Sequence, residues 1–169
     1  MSSLFRNRPL LDALCKCSNR GPSGVNVLVP KRGLNVHEHV GLGVLRAAGV
    51  NVPKFGVASS AEEAKKVACS DLKGLSDFVV KAQVLAGGRG KGTFDSGLKG
   101  GVKIVYSAEE VEKIAKQMIG KKLITKQTGE KGVPCNQVMI SERLYPRKEY
   151  YFAIMMERAY GVSVTVFFG

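Results

Sequence analysis

The sequence predicts an α/β (α+β) fold built from two small sheets with flanking helices. Three observations predict it. Segments of period two alternate with segments of helical period as far as Gly120, and consecutive strand-like segments follow from Leu123. Apolar residues make up 44% of the 169 positions, enough to close one ordinary domain core.

Met1 to Gly33 stands apart. It carries six basic residues (Arg6, Arg8, Lys16, Arg20, Lys31, Arg32) against one acid, Asp12. Leu4, Phe5, Leu10, Leu11 and Leu14 form a weakly amphipathic set. An Arg-rich, acid-poor amphipathic leader reads as a mitochondrial transit peptide, the other reading being a disordered basic tail. Residues 1–33 are therefore left out of fold reasoning, and the domain is expected over 34–169.

Asn35, with Glu38 three residues on, predicts a helix start, and the helix runs to about Ala48, closed by Gly49. Gly41 and Gly43 each weaken it by about 1 kcal/mol relative to alanine. His37 and His39 on this segment read as surface or capping groups. Val50 to Ala58 predicts a short strand entered through Pro53. Ser59 and Ser60, followed by Glu62 and Glu63, offer overlapping capping boxes for a helix whose stripe is Ala64, Val67, Ala68 and Leu72. Phe78, Val80, Ala82 and Val84 then alternate with Val79, Lys81 and Gln83, as a half-buried strand requires.

Val102 to Tyr106 is the next strand. Ser107 and Glu110 cap a helix with Val111, Ile114, Ala115 and Met118 on its apolar face, ending near Gly120. Leu123 to Gln127 predicts a strand, and Thr128 to Asn136 a long loop. Gln137 to Leu144 and Glu149 to Arg158 predict a hairpin about Tyr145-Pro146. Val162 to Phe168 predicts an exposed final strand and with it an aggregation risk.

The chemistry gathers between Lys81 and Gly101. The strand lysine is followed by Gly87, Gly88, Gly90, Gly92, Gly97, Gly100 and Gly101, with Arg89, Lys91 and Lys99 among them. Glycine lets backbone N–H groups converge on an anion, and the cations supply countercharge. The pattern reads as a nucleotide triphosphate site; a solvated surface loop is the other reading. It is not a Walker loop, because Gly92 follows Lys91, and it is not a dinucleotide fingerprint.

A net charge of +12 favours polyanionic partners. The chain has no block of five basic residues and few aromatics, which weakens a nucleic-acid reading. No run of 18 apolar residues occurs, so no membrane span is expected. Cys15, Cys17, Cys69 and Cys135 match no zinc spacing and read as reduced thiols.

KAQVLAGGRGKGTFDSGLKGGVKIVYS resembles the ATP-grasp region of succinate–CoA ligase β subunits, and so do LNVHEH, AAGVNVPKFGVA, QMIGKKLITKQTGEKG, CNQVMISER and YPRKEYYFAIMMER. The resemblance runs from about Leu34 to about Arg158. It implies the N-terminal part of an ATP-grasp fold that binds ATP or ADP. Lys81 then matches the strand lysine, Gly88, Arg89 and Gly90 the phosphate loop, and Glu142 and Glu149 the nucleotide-contacting acids. Without the family, an exposed surface acid is the better reading of either glutamate. Pro53 falls where ADP-forming members carry proline and GDP-forming members glutamine.

The resemblance further implies an α-subunit partner, the mitochondrial matrix, and no nucleic acid. It implies a relay in which ATP phosphorylates a histidine of the α subunit, the phosphate passes to succinate, and CoA displaces it. Ala159 to Gly169 departs from the family pattern. The family's Mg²⁺-binding Asn and Asp, and its CoA-ligase domain, fall past Gly169, so no metal ligand is expected in this chain. The expectation is a truncated β subunit confined to nucleotide binding. A non-catalytic fragment that binds nucleotide or a partner chain stays open, as does a basic nucleic-acid-binding module.

Overall fold

The computed structural model describes residues 35–157 and 161–169. The expected leader, 1–33, lies outside the described residues.

The first helix, α1 (Glu38–Ala47), starts later than its sequence signal. His37, not Asn35, is the N-cap, and no side chain closes it. The helix ends as expected at Gly49, whose φ of 82° is the left-handed turn that favours glycine. Strand β1 (Phe55–Ala58) is shorter than the predicted Val50–Ala58. Helix α2 (Ala61–Ser70) is capped by Ser60, which accepts from the Glu63 N–H, while Glu63 accepts in turn from the Ser59 N–H at 2.7 Å. Of the two overlapping boxes, the one on Ser60 forms.

Strand β2 (Phe78–Ala82) leads through the glycine loop to β3 (Thr93–Phe94) and β4 (Val102–Val105). Helix α3 (Ala108–Met118) uses the predicted box: Ser107 Oγ accepts from the Glu110 N–H, and Glu110 accepts from the Tyr106 N–H. There follow β5 (Lys121–Ile124), β6 (Val133–Cys135), β7 (Val138–Glu142), β8 (Tyr151–Glu157) and β9 (Val162–Phe168).

Four strands make the main sheet in the order β1-β7-β2-β4, with every pairing antiparallel. Phe78, Val80 and Ala82 of β2 turn to the core, as the period-two pattern requires. Helices α2 and α3 pack on each other and on this sheet, bringing Ala64, Val67, Ala68, Val111, Ala115 and Met118 into the same core. The second sheet, β3-β5-β6, adds Phe94, Leu123 and Cys135.

Three further sequence expectations need correction. The β7–β8 hairpin does not form. Both edges of β7 are taken, by β1 and β2, and β8 pairs instead with β9. Val138, Met139, Ile140 and Ser141 are all buried, so β7 is a central strand and requires two neighbours. Second, β5 lies earlier than Leu123–Gln127, because Thr125 is drawn into a turn in which its N–H donates to Thr128 Oγ1 at 2.8 Å. Third, the Thr128–Asn136 loop conceals β6. Pro134 sits in it without penalty because β6 pairs only with β5, leaving an edge where no N–H is needed.

The final strand is present as expected. Its partner β8 covers one edge, while Val162, Val164, Phe167 and Phe168 remain exposed.

Candidate phosphate-binding site

Strand alternation alone puts Lys81 on the face of β2 away from Phe78 and Val80, paired with Met139 of β7. Past Ala82 the chain leaves the strand and returns to it. The Ala82 N–H donates to Gly101 O at 2.8 Å, and the Gly101 N–H donates to Arg89 O at 2.8 Å. Gly88, with φ of 71°, starts the tight 3₁₀ turn Arg89–Lys91. That left-handed conformation strains any side chain, which is why glycine stands there. Gly92 faces a different constraint: a Cβ there would lie 2.8 Å from Ile124 O. The loop is thus laid flat against β5 and stitched to the end of β2.

This folding brings the Arg89 guanidinium to the strand lysine. Arg89 Nη1 donates to Ala82 O at 2.9 Å, and Nη2 donates to Glu38 Oε2. Lys81 Nζ donates to the other oxygen, Glu38 Oε1, at 3.0 Å. One carboxylate from the first turn of α1 therefore spans both cations, and all three side chains are about three-quarters buried. Burial pushes the Glu38 carboxyl up, but hydrogen bonds from Lys81 and Arg89 outweigh it and leave its pKa below the usual glutamate value.

Beside this cluster, Gln83 Oε1 accepts from the His39 N–H at 3.2 Å and lies 3.0 Å from His39 Nδ1. The His37 and His39 rings stack with centroids 5.7 Å apart. His37, Ser59, Gln83, Pro134, Asn136 and Gln137 line an open cavity of about 440 Å³.

The other residues singled out from the sequence are placed elsewhere. Glu142, at the far end of β7, pairs with Phe78, so alternation assigns it to the opposite face of the sheet from Lys81. Its carboxylate accepts from the Lys54 N–H at 2.7 Å, and its own N–H donates to Lys54 O. It thereby braces the segment carrying Pro53, whose carbonyl accepts from Arg46 Nη2. Glu149 lines a shallow recess at the base of the β8–β9 pair with Tyr150, Tyr151, Phe168 and Gly169. The structure thus gathers Lys81, Gly88, Arg89 and Gly90, joins Pro53 to Glu142 through Lys54, and leaves Glu149 apart.

Sequence reasoning missed the part Glu38 plays. Its place in the first turn of a helix explained it fully as a capping acid. The available clue was a basic glycine loop with no acid assigned to it. Among the described residues, no group of three or more His, Cys, Asp or Glu side chains is arranged to hold a metal ion.

The chain is 60% identical over 135 residues to the mitochondrial succinate–CoA ligase [ADP-forming] subunit beta of Columba livia, covering 80% of this chain and 32% of that protein. It is 56% identical over 139 residues to the same subunit of Schizosaccharomyces pombe, covering 82% of this chain and 32% of the relative. It is 42% identical over 163 residues to the mitochondrial [GDP-forming] subunit beta of Mus musculus, covering 96% of this chain and 36% of the relative. The chain thus spans about a third of the length of these relatives. A family model described as the ATP-grasp domain matches residues 35–168, the span holding the three sheets, the stitched loop and its cations, and the chain belongs to that family.

Proposed function

We propose that this chain binds ATP or ADP as the nucleotide-binding part of a succinate–CoA ligase β subunit. The observation that carries the reading is the convergence of Lys81 and Arg89 at the mouth of a glycine loop. The likeness to ADP-forming relatives supports the choice of purine and reaction.

In this reading Lys81 and Arg89 neutralise the phosphates, and the backbone at Gly88 and Gly90 lets the chain approach them closely. Phosphoryl transfer draws mainly on positioning and charge neutralisation, and these residues supply the protein's part of both. Pro53 selects adenine over guanine, since proline offers no amide to the guanine edge. Glu142 and Glu149 contact the base and ribose. Glu142 would do so only by changing its bond to Lys54, and the β8–β9 pair would carry Glu149 to the nucleotide. Mg²⁺ would supply charge neutralisation between phosphates when bound. Among the described residues no group of three or more His, Cys, Asp or Glu side chains is arranged to hold it, so it enters none of the steps assigned here.

The complete reaction converts succinate, CoA and ATP to succinyl-CoA, ADP and phosphate in the tricarboxylic acid cycle, with an α subunit in the mitochondrial matrix. The chain alone is expected to bind nucleotide without turning it over.

Calorimetry tests the binding. ATP and ADP should bind below millimolar concentration, and Lys81→Ala should weaken ATP by about 10- to 100-fold, as loss of one charge-assisted hydrogen bond implies. A folded wild-type chain that ignores both nucleotides at millimolar concentration refutes the reading.

A further inference from the structure

Helix α1 is attached to the domain in an unusual way. None of its residues is buried, and Val40, Val44 and Leu45 are exposed. Its first turn is tied to the loop and to β2 by polar contacts: Glu38 to Lys81 and Arg89, and the His39 backbone and ring to Gln83 just past the strand. Of its large apolar residues Leu42 alone is half-buried, so apolar burial is at most a small part of what places this acid.

The cations need such a group. Two positive side chains brought to one place repel each other, and without a ligand each would turn to solvent. A carboxylate offering one oxygen to each lets both stay. Glu38 engages one donor of the Lys81 ammonium, and Arg89 uses one Nη1 donor on Ala82 O and one Nη2 donor on Glu38. The remaining N–H groups of both side chains are left for an incoming anion.

We propose that Glu38 is a positioning residue of the phosphate site, whose single carboxylate sets Lys81 and Arg89 at the spacing that a polyphosphate then bridges. The inference rests on the nucleotide reading above and adds to it a residue that touches no ligand. Its physical content is preorganisation: the ordering of two long, flexible side chains is completed before binding, so the ligand does not bear that cost. The opposite role, a carboxylate that occupies the phosphate position and must be expelled, predicts the reverse sign on removal.

The test uses the 169-residue chain as wild type, Glu38→Gln and Glu38→Asp, with calorimetric affinities for ATP, AMP and inorganic tripolyphosphate. AMP lacks the β- and γ-phosphates, so the ATP-to-AMP affinity ratio isolates the part of binding that the two cations make together. Glu38→Gln should weaken ATP and tripolyphosphate by about tenfold, which is one charge-assisted interaction, and should pull the ATP-to-AMP ratio down by a similar factor. Glu38→Asp, charged but one methylene shorter, should fall between wild type and Glu38→Gln. General damage to the fold would lower ATP and AMP together and keep the ratio, which refutes the proposal. Tighter ATP binding by Glu38→Gln also refutes it and assigns Glu38 as a competitor. Should Glu38→Gln fail to fold, Glu38→Asp with an unchanged ratio refutes the proposal and a reduced ratio supports it. A wild-type chain that binds no ATP removes both the nucleotide reading and this one, whereas a failure confined to the variants removes only this one.

Discussion

Three alanine substitutions within five residues of the glycine loop should differ sharply, because their glycines are there for different reasons. At Gly90 an added Cβ meets nothing within 4 Å, so Gly90→Ala should change stability by no more than about 0.5 kcal/mol. At Gly88 space is also open, but φ is 71°, and alanine held there is strained by about 1–2 kcal/mol. At Gly92 the backbone is ordinary, with φ of −73°, yet the new Cβ would meet Ile124 O at 2.8 Å, Leu123 Cδ1 at 2.9 Å and Thr125 Cγ2 at 2.9 Å. A carbonyl in a paired strand cannot rotate away as a side-chain tip can. The loop must lift off β5, at a cost of about 1–3 kcal/mol typical of overpacking. Lifting also threatens the 2.7 Å bond from the Gly100 N–H to Gly92 O, which helps close the loop. Urea unfolding followed by far-ultraviolet circular dichroism should rank the variants Gly90→Ala, Gly88→Ala, Gly92→Ala from least to most destabilised. Thermal midpoints should fall by roughly 3–6 °C per kcal/mol. Gly90→Ala as damaging as Gly92→Ala would refute the loop geometry, and an undisturbed Gly92→Ala would show that the loop does not lie on β5.

Met118 is fully buried where α3 meets the sheets, so Met118→Ala should cost about 2–5 kcal/mol in urea unfolding. Asp77 accepts from the Tyr145 O–H and from Ser76 Oγ, with Arg143 alongside, and these hold its carboxyl below the usual 3.8. A carboxyl depressed by folding stabilises the native state above its unfolded pKa and loses that contribution as pH falls through the folded value. Stability should therefore fall as pH drops below about 3.8, and Tyr145→Phe should make that fall shallower in acid titrations followed by circular dichroism. Cys135 is buried and its thiol is pushed up by that burial, whereas Cys69 is exposed. Peptide mapping after brief alkylation at pH 8 should find Cys69 modified well before Cys135, with the difference abolished in urea.

Much of the fold was legible because local chemistry and tertiary need coincide. The alternation of Phe78, Val80 and Ala82 is what a strand with one core face requires, and Ser60 and Ser107 cap the helices that their sequence boxes announce. What stayed hidden was partner choice. Val138 to Ser141 looks like a strand from its own residues, but nothing local says that β1, from some 80 positions earlier, takes the edge a hairpin partner would have used. Likewise Pro134 marks a loop in any local reading, and only the free edge of β6 makes it acceptable in a strand.

The candidate site divides along the same line. Lys81 and the loop from Gly87 announce themselves because cations and glycines are adjacent in sequence. Glu38 does not, since its partners stand 43 and 51 positions away. The omission changes the physics assigned to the site. The chain as a whole carries a charge of +12, and a reader of composition alone would have that excess attract the ligand. Locally, two cations share one carboxylate, which leaves a single net positive charge on that trio of side chains. A polyphosphate held there is retained by donors fixed in place more than by a diffuse field. Binding by the diffuse field would weaken steeply with added salt, as it does when many phosphates are neutralised along a polyanion. Binding at a partly buried, preset pair should weaken far less, because buried pairs are poorly screened. Comparing the salt dependence of ATP binding with that of a long polyphosphate therefore separates the two sources of attraction. A slope as steep for ATP as for the polymer would mean that the basic surface, and not the Lys81–Glu38–Arg89 arrangement, holds the anion.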